Sequence, residues 1–355
     1  MMLIVREKSR AMFTPETYQL LDFGVGRRLE RFGPWVLDRP CPAVEGVARA
    51  DPAAWTTADA RFERTGATEG RWSLVREMPE RWTIAHGPIQ LELKRTEFGH
   101  LGVFPEHAAT WDWIAARVQA AEKVTGTFCP EGPKGASHKR CLSPFPPAGP
   151  LRVLNLFAYT GGSTLAAAAA GAEVVHVDAA KNVVAWARRN AELSSGTDWK
   201  SAVGATVALS PRGGSATATP TTEGGTTLKV ALPGRVRWIV EDAMKFARRE
   251  LKRQNCYDAV ILDPPSYGHG PRGEVWRLTK HLPRLLTLCS ELTAGQCRFM
   301  LLSCHTPEFD ARRLEGLVRE TWCNVHGGKV RTEQLVLRTA VGRELPSGIA
   351  VYWEP

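Results

Sequence analysis

The chain of 355 residues is long enough for about two domains, which excludes a peptide hormone or a small disulfide-stapled fold. Hydrophobic residues make up 43% and charged residues 23%, a balance typical of folded globular proteins and unlike that of disordered chains. The net charge of +9 favours a polyanionic partner such as nucleic acid, although many basic proteins bind none.

The eight cysteines are scattered along the chain, which is the usage expected for reduced thiols in an intracellular compartment. Cys129, His138 and Cys141 lie close together, but no CxxC pair accompanies them, so the sequence predicts no metal site. No apolar run reaches the roughly 18 residues of a membrane span. The charged start does not resemble a secretory signal, and a transit peptide is not evident.

Residues 1–121 are predicted to form a small β-rich domain with one helix. Short runs rich in aromatic residues, separated by Gly and Pro, predict a meander of antiparallel strands over 18–42 and 72–104. Apolar positions at helical spacing predict a helix over 107–121. A segment rich in Pro and Gly, 122–150, is interpreted as a linker.

Residues 151–355 alternate between strand and helix patterns, which predicts an α/β fold with a parallel sheet and crossover helices. Two final strand patterns predict a C-terminal hairpin at the edge of this Rossmann-like sheet. A stretch biased toward Ser, Thr, Gly and Ala, 194–234, interrupts the alternation and is interpreted as a disordered insertion. The predicted strands are 151–160, 172–178, 236–242, 257–265 and 297–304, and the predicted helices are 163–170, 180–193, 243–253, 275–293 and 307–320.

Candidate ligand-binding residues follow the first two strands of this domain, because open α/β sheets bind ligands at the carboxyl ends of their strands. The first strand ends in NLFAYTGG, residues 155–162, whose two glycines permit a tight turn close to a ligand. Neither G-x-G-x-x-G nor a phosphate-binding Gly-Lys-Ser/Thr loop is present, which disfavours NAD and ATP. Asp178 ends the second strand. It is suited either to bind a ribose or to cap the following helix.

Three further strand ends carry side chains of the kinds used in binding and catalysis. The third strand ends in Glu241 and Asp242, and the fourth ends in DPPSY, which begins at Asp263. Two prolines withhold backbone donors and leave carbonyls to accept from an amino group of a substrate. The fifth strand ends in Ser303, Cys304 and His305, so Cys304 is a candidate nucleophile, although most cysteines in such strands are structural.

Several of these segments resemble a known family. VLNLFAYTGGSTLAAAAAGAEVVHVDAAKNVVAWARRNAEL, IVEDAMKFARRE, YDAVILDPPSYGHG and LLSCH are similar to class I S-adenosylmethionine (SAM)-dependent methyltransferases, specifically the group that contains the 23S ribosomal RNA cytosine-5 methyltransferases. The similarity covers about 151–305 without the insertion. LDFGVGRRLERFGPWVLDRP (21–40) and GHLGVFPEHAATWDW resemble the small N-terminal domain of one branch of that group.

The resemblance implies roles for individual residues. The turn after the first strand would hold the methionine part of SAM, Asp178 its ribose, and Asp242 with Ala243 its adenine. Asp263 would face the sulfonium and the target base, and Cys304 would add to ring carbon 6 of a cytosine in ribosomal RNA. The cofactor-binding residues of the turn are Asn155, Phe157, Tyr159, Thr160 and Gly161.

The resemblance also implies a location and leaves alternatives. The expected location is the cytoplasm or an organelle with its own ribosomes. His305 stands where the family commonly has serine, and DPPSY lacks a second cysteine. An RNA base N-methyltransferase, with Tyr267 as the aromatic clamp, and a small-molecule methyltransferase are therefore the alternatives.

Overall fold

The computed structural model describes residues 13–66, 69–124, 149–195, 232–270 and 273–355. The Cys129, His138 and Cys141 group lies outside these residues, as do most of the predicted linker and most of the predicted insertion. Within the described ranges, no helix is long and apolar enough to cross a membrane.

The N-terminal part consists of two sheets and a helix. Five strands pair in sequential order, and a separate hairpin follows them. Strands form in both predicted ranges, but residues 100–104 are not a strand, and the fourth strand, at 60–64, lies outside both ranges. The meander is also not wholly antiparallel, because the third and fourth strands pair in parallel. The reason is the connection between them, two short 3₁₀ turns that carry the chain back along the sheet. The strands are β1 Tyr18–Gly24, β2 Arg27–Phe32, β3 Trp35–Pro40, β4 Ala60–Arg64, β5 Gly70–Leu74, β6 Arg81–His86 and β7 Ile89–Lys94.

A seven-stranded sheet forms the rest of the chain, and it confirms the predicted Rossmann-like α/β fold with a C-terminal hairpin. Its order is β10-β9-β8-β11-β14-β16-β15, in which the first five strands are parallel. The last two strands form the predicted hairpin at the edge. These strands are β8 Arg152–Leu156, β9 Glu173–Asp178, β10 Val236–Val240, β11 Ala259–Leu262, β14 Phe299–Cys304, β15 Lys329–Arg338 and β16 Glu344–Glu354.

Helices cover both faces of this sheet, as parallel strands buried on two sides require. The side chains of successive strand residues alternate between two large buried clusters, so Val153 and Ile261 belong to one and Leu154 and Leu262 to the other. The first three helices lie on one face and the next three on the other. They are α1 Ala108–Val124, α2 Gly162–Ala169, α3 Lys181–Ser194, α4 Ala243–Lys252, α5 Leu278–Leu292 and α6 Ala311–Val318.

The N-terminal part packs against the helices on one face of the seven-stranded sheet, chiefly through β7 on α2 and α3. A single buried cluster contains side chains from both parts, including Leu91 of β7 and Leu165 of α2. Trp186 on α3 donates its indole N–H to the Glu92 carbonyl at 2.9 Å. The division into domains at 121 and 151 stays a prediction, but the two parts share a core.

The structure corrects three local predictions. A small hairpin, β12 Tyr267–His269 with β13 Val275–Arg277, precedes α5, so the predicted helix 275–293 begins later, at Leu278. The helix predicted over 307–320 begins later, at Ala311, and after Val318 it continues through a π-helical turn, Arg319–Cys323, and a short last turn, Asn324–His326. The strand predicted over 236–242 ends at Val240, because Asp242 begins a helix instead.

Candidate functional site

The order of the sheet places a crevice at the carboxyl ends of β8 and β11. The chain leaves β8 toward one edge of the sheet and returns to β11 on its other side, and ligands bind at such switch points. The residues that follow these strands, Phe157 and Asp263, line one pocket with about 410 Å³ of empty space, part of it open to solvent. His107 and Phe104, from the N-terminal part, close the opposite wall.

The turn after β8 has an unusual backbone. Phe157, Tyr159 and Gly161 have φ values of 56°, 49° and 93°, in the left-handed region that non-glycine residues rarely adopt. Two non-glycine residues in this region cost on the order of 1–3 kcal/mol each, and such strain concentrates at functional sites. The predicted cofactor turn is therefore a preformed, strained loop.

The N-terminal part holds this turn in place. Thr160 is 3% exposed and donates its hydroxyl to the Gly102 carbonyl at 2.6 Å. A Cβ atom on Gly162 would lie 2.4 Å from the Trp111 ring, so α2 begins against that indole without room for a side chain. The β-rich N-terminal part thus shapes the pocket directly.

Asp178 lies where the sequence predicts, at the end of β9, but it is not the N-cap of α3, which is Ala180 and has no side-chain cap. Its carboxylate accepts from the backbone N–H of Tyr159 at 3.0 Å and of Ala180 at 2.9 Å. The second contact closes a turn before α3, although the helix itself begins at Lys181. The first contact fixes the cofactor turn. Burial raises the pKa of Asp178, and these amide contacts partly offset that effect.

Asn155 is buried behind the turn and lines the pocket only from below. Its side-chain amide donates to the Thr164 hydroxyl at 2.8 Å, and that hydroxyl lies 2.9 Å from Nδ1 of His176. Burial lowers the pKa of His176 to about 3, so the ring is neutral and the chain of contacts is uncharged. This polar chain links β8, α2 and β9 beneath the pocket.

Asp242 and Ala243 begin α4 next to the end of β10. The Asp242 carboxylate accepts from the backbone N–H of Lys245 at 2.9 Å, which is an N-cap contact. Asp242 lines a second depression together with Trp238 and Glu241. The structure therefore gives Asp242 a structural role in addition to any contact with a ligand.

Asp263 lies at the centre of a polar cluster at the crevice. Its carboxylate accepts from the Ser303 hydroxyl at 2.6 Å and lies 3.5 Å from Nε2 of both His107 and His305. Burial opposes the charge, but the two imidazoles outweigh it and hold the pKa of Asp263 well below its usual range. Burial also opposes protonation of His305, whereas Asp263 raises the pKa of His305 to about 9.

The prolines after Asp263 do not leave all their carbonyls for a substrate. The Pro265 carbonyl accepts from the Trp276 indole N–H at 2.7 Å, so this acceptor is already used within the protein. Tyr267 lies on β12 and is 54% exposed. Its hydroxyl oxygen lies 3.2 Å from Nε2 of His269.

Cys304 ends β14 on the strand next to Asp263, but it is only 2% exposed. Its side chain belongs to the buried cluster on the α5 face, whereas Ser303 turns toward Asp263. Burial raises the pKa of the Cys304 thiol, and hydrogen bonds from Thr306 only partly offset this. The neutral thiol is therefore the resting form.

Sequence reasoning missed His107, because its position depends on how the N-terminal part packs against the sheet. His107 ends a 3₁₀ turn, Pro105–His107, far from the sheet residues in sequence. Its Nε2 atom lies 3.2 Å from Nε2 of His305. The motif GVFPEHAATW contained the histidine, but no spacing within it indicated its partners.

Comparison with solved structures identifies the family. A SAM-dependent methyltransferase from Agrobacterium tumefaciens is 31% identical over 96% of this chain and 90% of its own, with a TM-score of 0.73. The chain belongs to the SAM-dependent methyltransferases. Two further structures share the fold. A methyltransferase from Streptococcus mutans is 13% identical, with a TM-score of 0.60, over 96% of this chain and 75% of its own. The methyltransferase SMU.776, in complex with S-adenosylhomocysteine (SAH), is 15% identical, with a TM-score of 0.59, over 95% of this chain and 75% of its own. No protein-family model and no curated protein matches the sequence.

The methyltransferase uses SAM as its methyl donor. Phe157 and Tyr159 of the turn after β8 line the pocket together with Asp263. SAM supplies an electrophilic methyl group on a sulfonium, which passes to a nucleophile by in-line displacement. In such a transfer a protein contributes mainly position and charge. The ionised Asp263 is a charged group that lines this pocket.

Proposed function

We propose that this methyltransferase acts on RNA and methylates ring carbon 5 of a cytosine, with ribosomal RNA as the substrate class. The observation that carries the proposal is the pairing of β11 with β14, which brings Asp263 and Cys304 to adjacent strand ends. The net charge of +9 and the resemblance of DPPSY and LLSCH to the ribosomal RNA cytosine-5 group support a polyanionic substrate. The expected location is the cytoplasm or an organelle with its own ribosomes.

The proposed reaction assigns separate tasks to the two side chains. The Cys304 thiol gives its proton to water as its sulfur adds to ring carbon 6, which makes carbon 5 nucleophilic enough to take the methyl group from SAM, and S-adenosylhomocysteine leaves. A base then removes the proton from carbon 5, and the Cys304 sulfur leaves as the ring double bond forms again. Asp263 stays ionised and accepts from the amino group of the cytosine through a lone pair that Ser303 does not use.

The same proposal assigns the cofactor contacts. The turn residues Asn155, Phe157, Tyr159, Thr160 and Gly161 form the methionine side of the SAM site. Asp178 keeps lone pairs beyond its two amide contacts, and these accept from the ribose hydroxyls. Asp242 and Ala243 border the adenine.

Methylation of an exocyclic nitrogen is the second candidate, and the burial of Cys304 favours it. A thiol that is 2% exposed and whose pKa is raised needs both an opening of the loop after β14 and a proton acceptor before it can attack. An exocyclic amino group held by Asp263 needs no covalent intermediate.

RNA that contains 5-fluorocytosine separates the two candidates. Fluorine at carbon 5 cannot leave as a proton does, so attack by Cys304 should trap a covalent protein–RNA adduct that requires SAM. Cys304→Ala should abolish both the adduct and methyl transfer while SAM still binds in isothermal titration. Cys323→Ala, a half-buried thiol after α6, is the matched control and should behave like the parent protein.

Each outcome has a distinct meaning. Methyl transfer that persists in Cys304→Ala would overturn carbon-5 chemistry and support the exocyclic nitrogen. Mass spectrometry of ribosomal RNA nucleosides compares cells with and without the gene. The cells without it should have one methylcytosine fewer in their ribosomal RNA. Unchanged nucleosides would refute the ribosomal substrate.

A further inference from the structure

Three potential metal ligands from distant parts of the chain converge at the mouth of the crevice. His107 comes from the N-terminal part, Asp263 follows β11 and His305 follows β14. The two Nε2 atoms are 3.2 Å apart, and each lies 3.5 Å from a different oxygen of the Asp263 carboxylate. The two nitrogens and a carboxylate oxygen of Asp263 therefore lie within 4.8 Å of one another.

Each of these groups is oriented by a second contact. Nδ1 of His305 lies 2.5 Å from the Ser347 carbonyl, an acceptor, so this nitrogen carries a proton and Nε2 faces the cluster. A Cβ atom on Gly348 would lie 2.6 Å from that same Nδ1, so the hairpin backbone packs directly on the ring. Asp263 accepts from Ser303. Carbonyl and hydroxyl partners of this kind fix the tautomer and orientation of metal ligands.

The same reasoning applies to His107. The Thr110 hydroxyl donates to the His107 carbonyl at 2.7 Å, so it presents a lone pair to Nδ1 of His107 at 3.4 Å. Nδ1 then carries the ring proton, and Nε2 is left as an acceptor. With both rings neutral, two imidazole lone pairs and a carboxylate would face one another, and either a proton on His305 or a metal ion would supply the cation between them.

We propose that His107, Asp263 and His305 bind one zinc ion. Two ligands at about 2.0–2.1 Å from zinc, at a tetrahedral angle, are separated by about 3.3–3.4 Å. The two Nε2 atoms are 3.2 Å apart, close to this value. Each lies 3.5 Å from its own oxygen of Asp263, so a rotation of the carboxylate that brings one oxygen toward both nitrogens completes the set. Two imidazoles and one carboxylate are a ligand set that zinc accepts, whereas magnesium and calcium prefer oxygen.

Three protein ligands leave a fourth position for water or for a heteroatom of the substrate. His107 and Asp263 line the pocket beside the cofactor turn, so this position opens toward the crevice. Zinc in such a position lowers the pKa of a bound group and polarises it. The site is independent of which base is methylated, since it depends only on these three side chains.

Metal analysis of the purified protein tests the proposal without an activity assay. After chelation and addition of ZnCl₂, we expect one zinc per chain by plasma mass spectrometry. Co²⁺ in the same site should show the intense visible absorption of a tetrahedral ion. His107→Ala and His305→Ala should each weaken zinc binding more than about 10-fold, with SAM binding as the check of folding.

Two control variants locate the ion. His281→Ala removes a histidine that contacts Arg277 at the start of α5, away from the cluster, and should keep the zinc. The double variant Cys129→Ser/Cys141→Ser should also keep it. Absence of zinc from the parent protein, its retention in His107→Ala and His305→Ala, or its loss in the cysteine variant would overturn the proposal. If zinc is absent from the parent protein or is retained in both histidine variants, a proton on His305 is the cation that offsets the charge of Asp263.

Discussion

Removal of the Thr160 hydroxyl tests whether the N-terminal part shapes the cofactor site. Thr160→Val keeps the shape of the side chain but leaves the Gly102 carbonyl, which accepts that hydroxyl at 2.6 Å, without this donor. Thr160 is 3% exposed, so water does not readily replace the contact. A buried acceptor left in this state costs about 1–3 kcal/mol, which is the expected loss in the free energy of unfolding.

The same energetic cost sets an upper limit on how much SAM affinity can fall in Thr160→Val. The strained backbone at Phe157 and Tyr159 is held partly by this contact, so its removal lowers the fraction of protein whose turn is ready to bind. A cost of about 1–3 kcal/mol corresponds to a SAM affinity reduced by at most about 5- to 150-fold.

Two measurements and one control check this reasoning. Urea unfolding without cofactor gives the stability, and isothermal titration gives the affinity for SAM. Thr160→Ser retains the donor and should lie closer to the parent protein than Thr160→Val does. Equal stability and equal SAM affinity in Thr160→Val and the parent would refute a structural role for this contact.

Two further predictions concern the floor of the site. The Asp178 carboxylate accepts from two backbone amides, and Asp178→Asn leaves only one side-chain oxygen for them. SAM affinity should therefore fall by about 10-fold or more while the protein stays folded. An unchanged SAM affinity in isothermal titration would remove Asp178 from the site. The pKa of His176 is lowered to about 3 in the folded state, so the unfolded chain binds the extra proton and stability falls as pH drops from about 6.5 toward 3. His176→Phe should flatten this dependence by up to about 1.4 kcal/mol per pH unit, and a difference between the two proteins that does not vary with pH would contradict the assignment.

The sequence alone determined the α/β sheet and the order of its main elements. Buried strands read as continuous apolar runs, and helices between them carry an amphipathic period, so both signals are local. The ends of these strands then indicated Asp178, Asp263 and Cys304, because side chains at the carboxyl ends of parallel strands share one edge of the sheet. Local signals also predicted the C-terminal hairpin.

Only the tertiary structure decided which of these side chains meet, and which way they point. Cys304 and Ser303 are neighbours in sequence, yet strand alternation turns Ser303 toward Asp263 and Cys304 into the core. His107 reaches the same point from about 150 residues away, because the N-terminal sheets pack on α2 and α3. No local pattern encodes such a contact, since it depends on the sum of long-range packing between two parts of the chain.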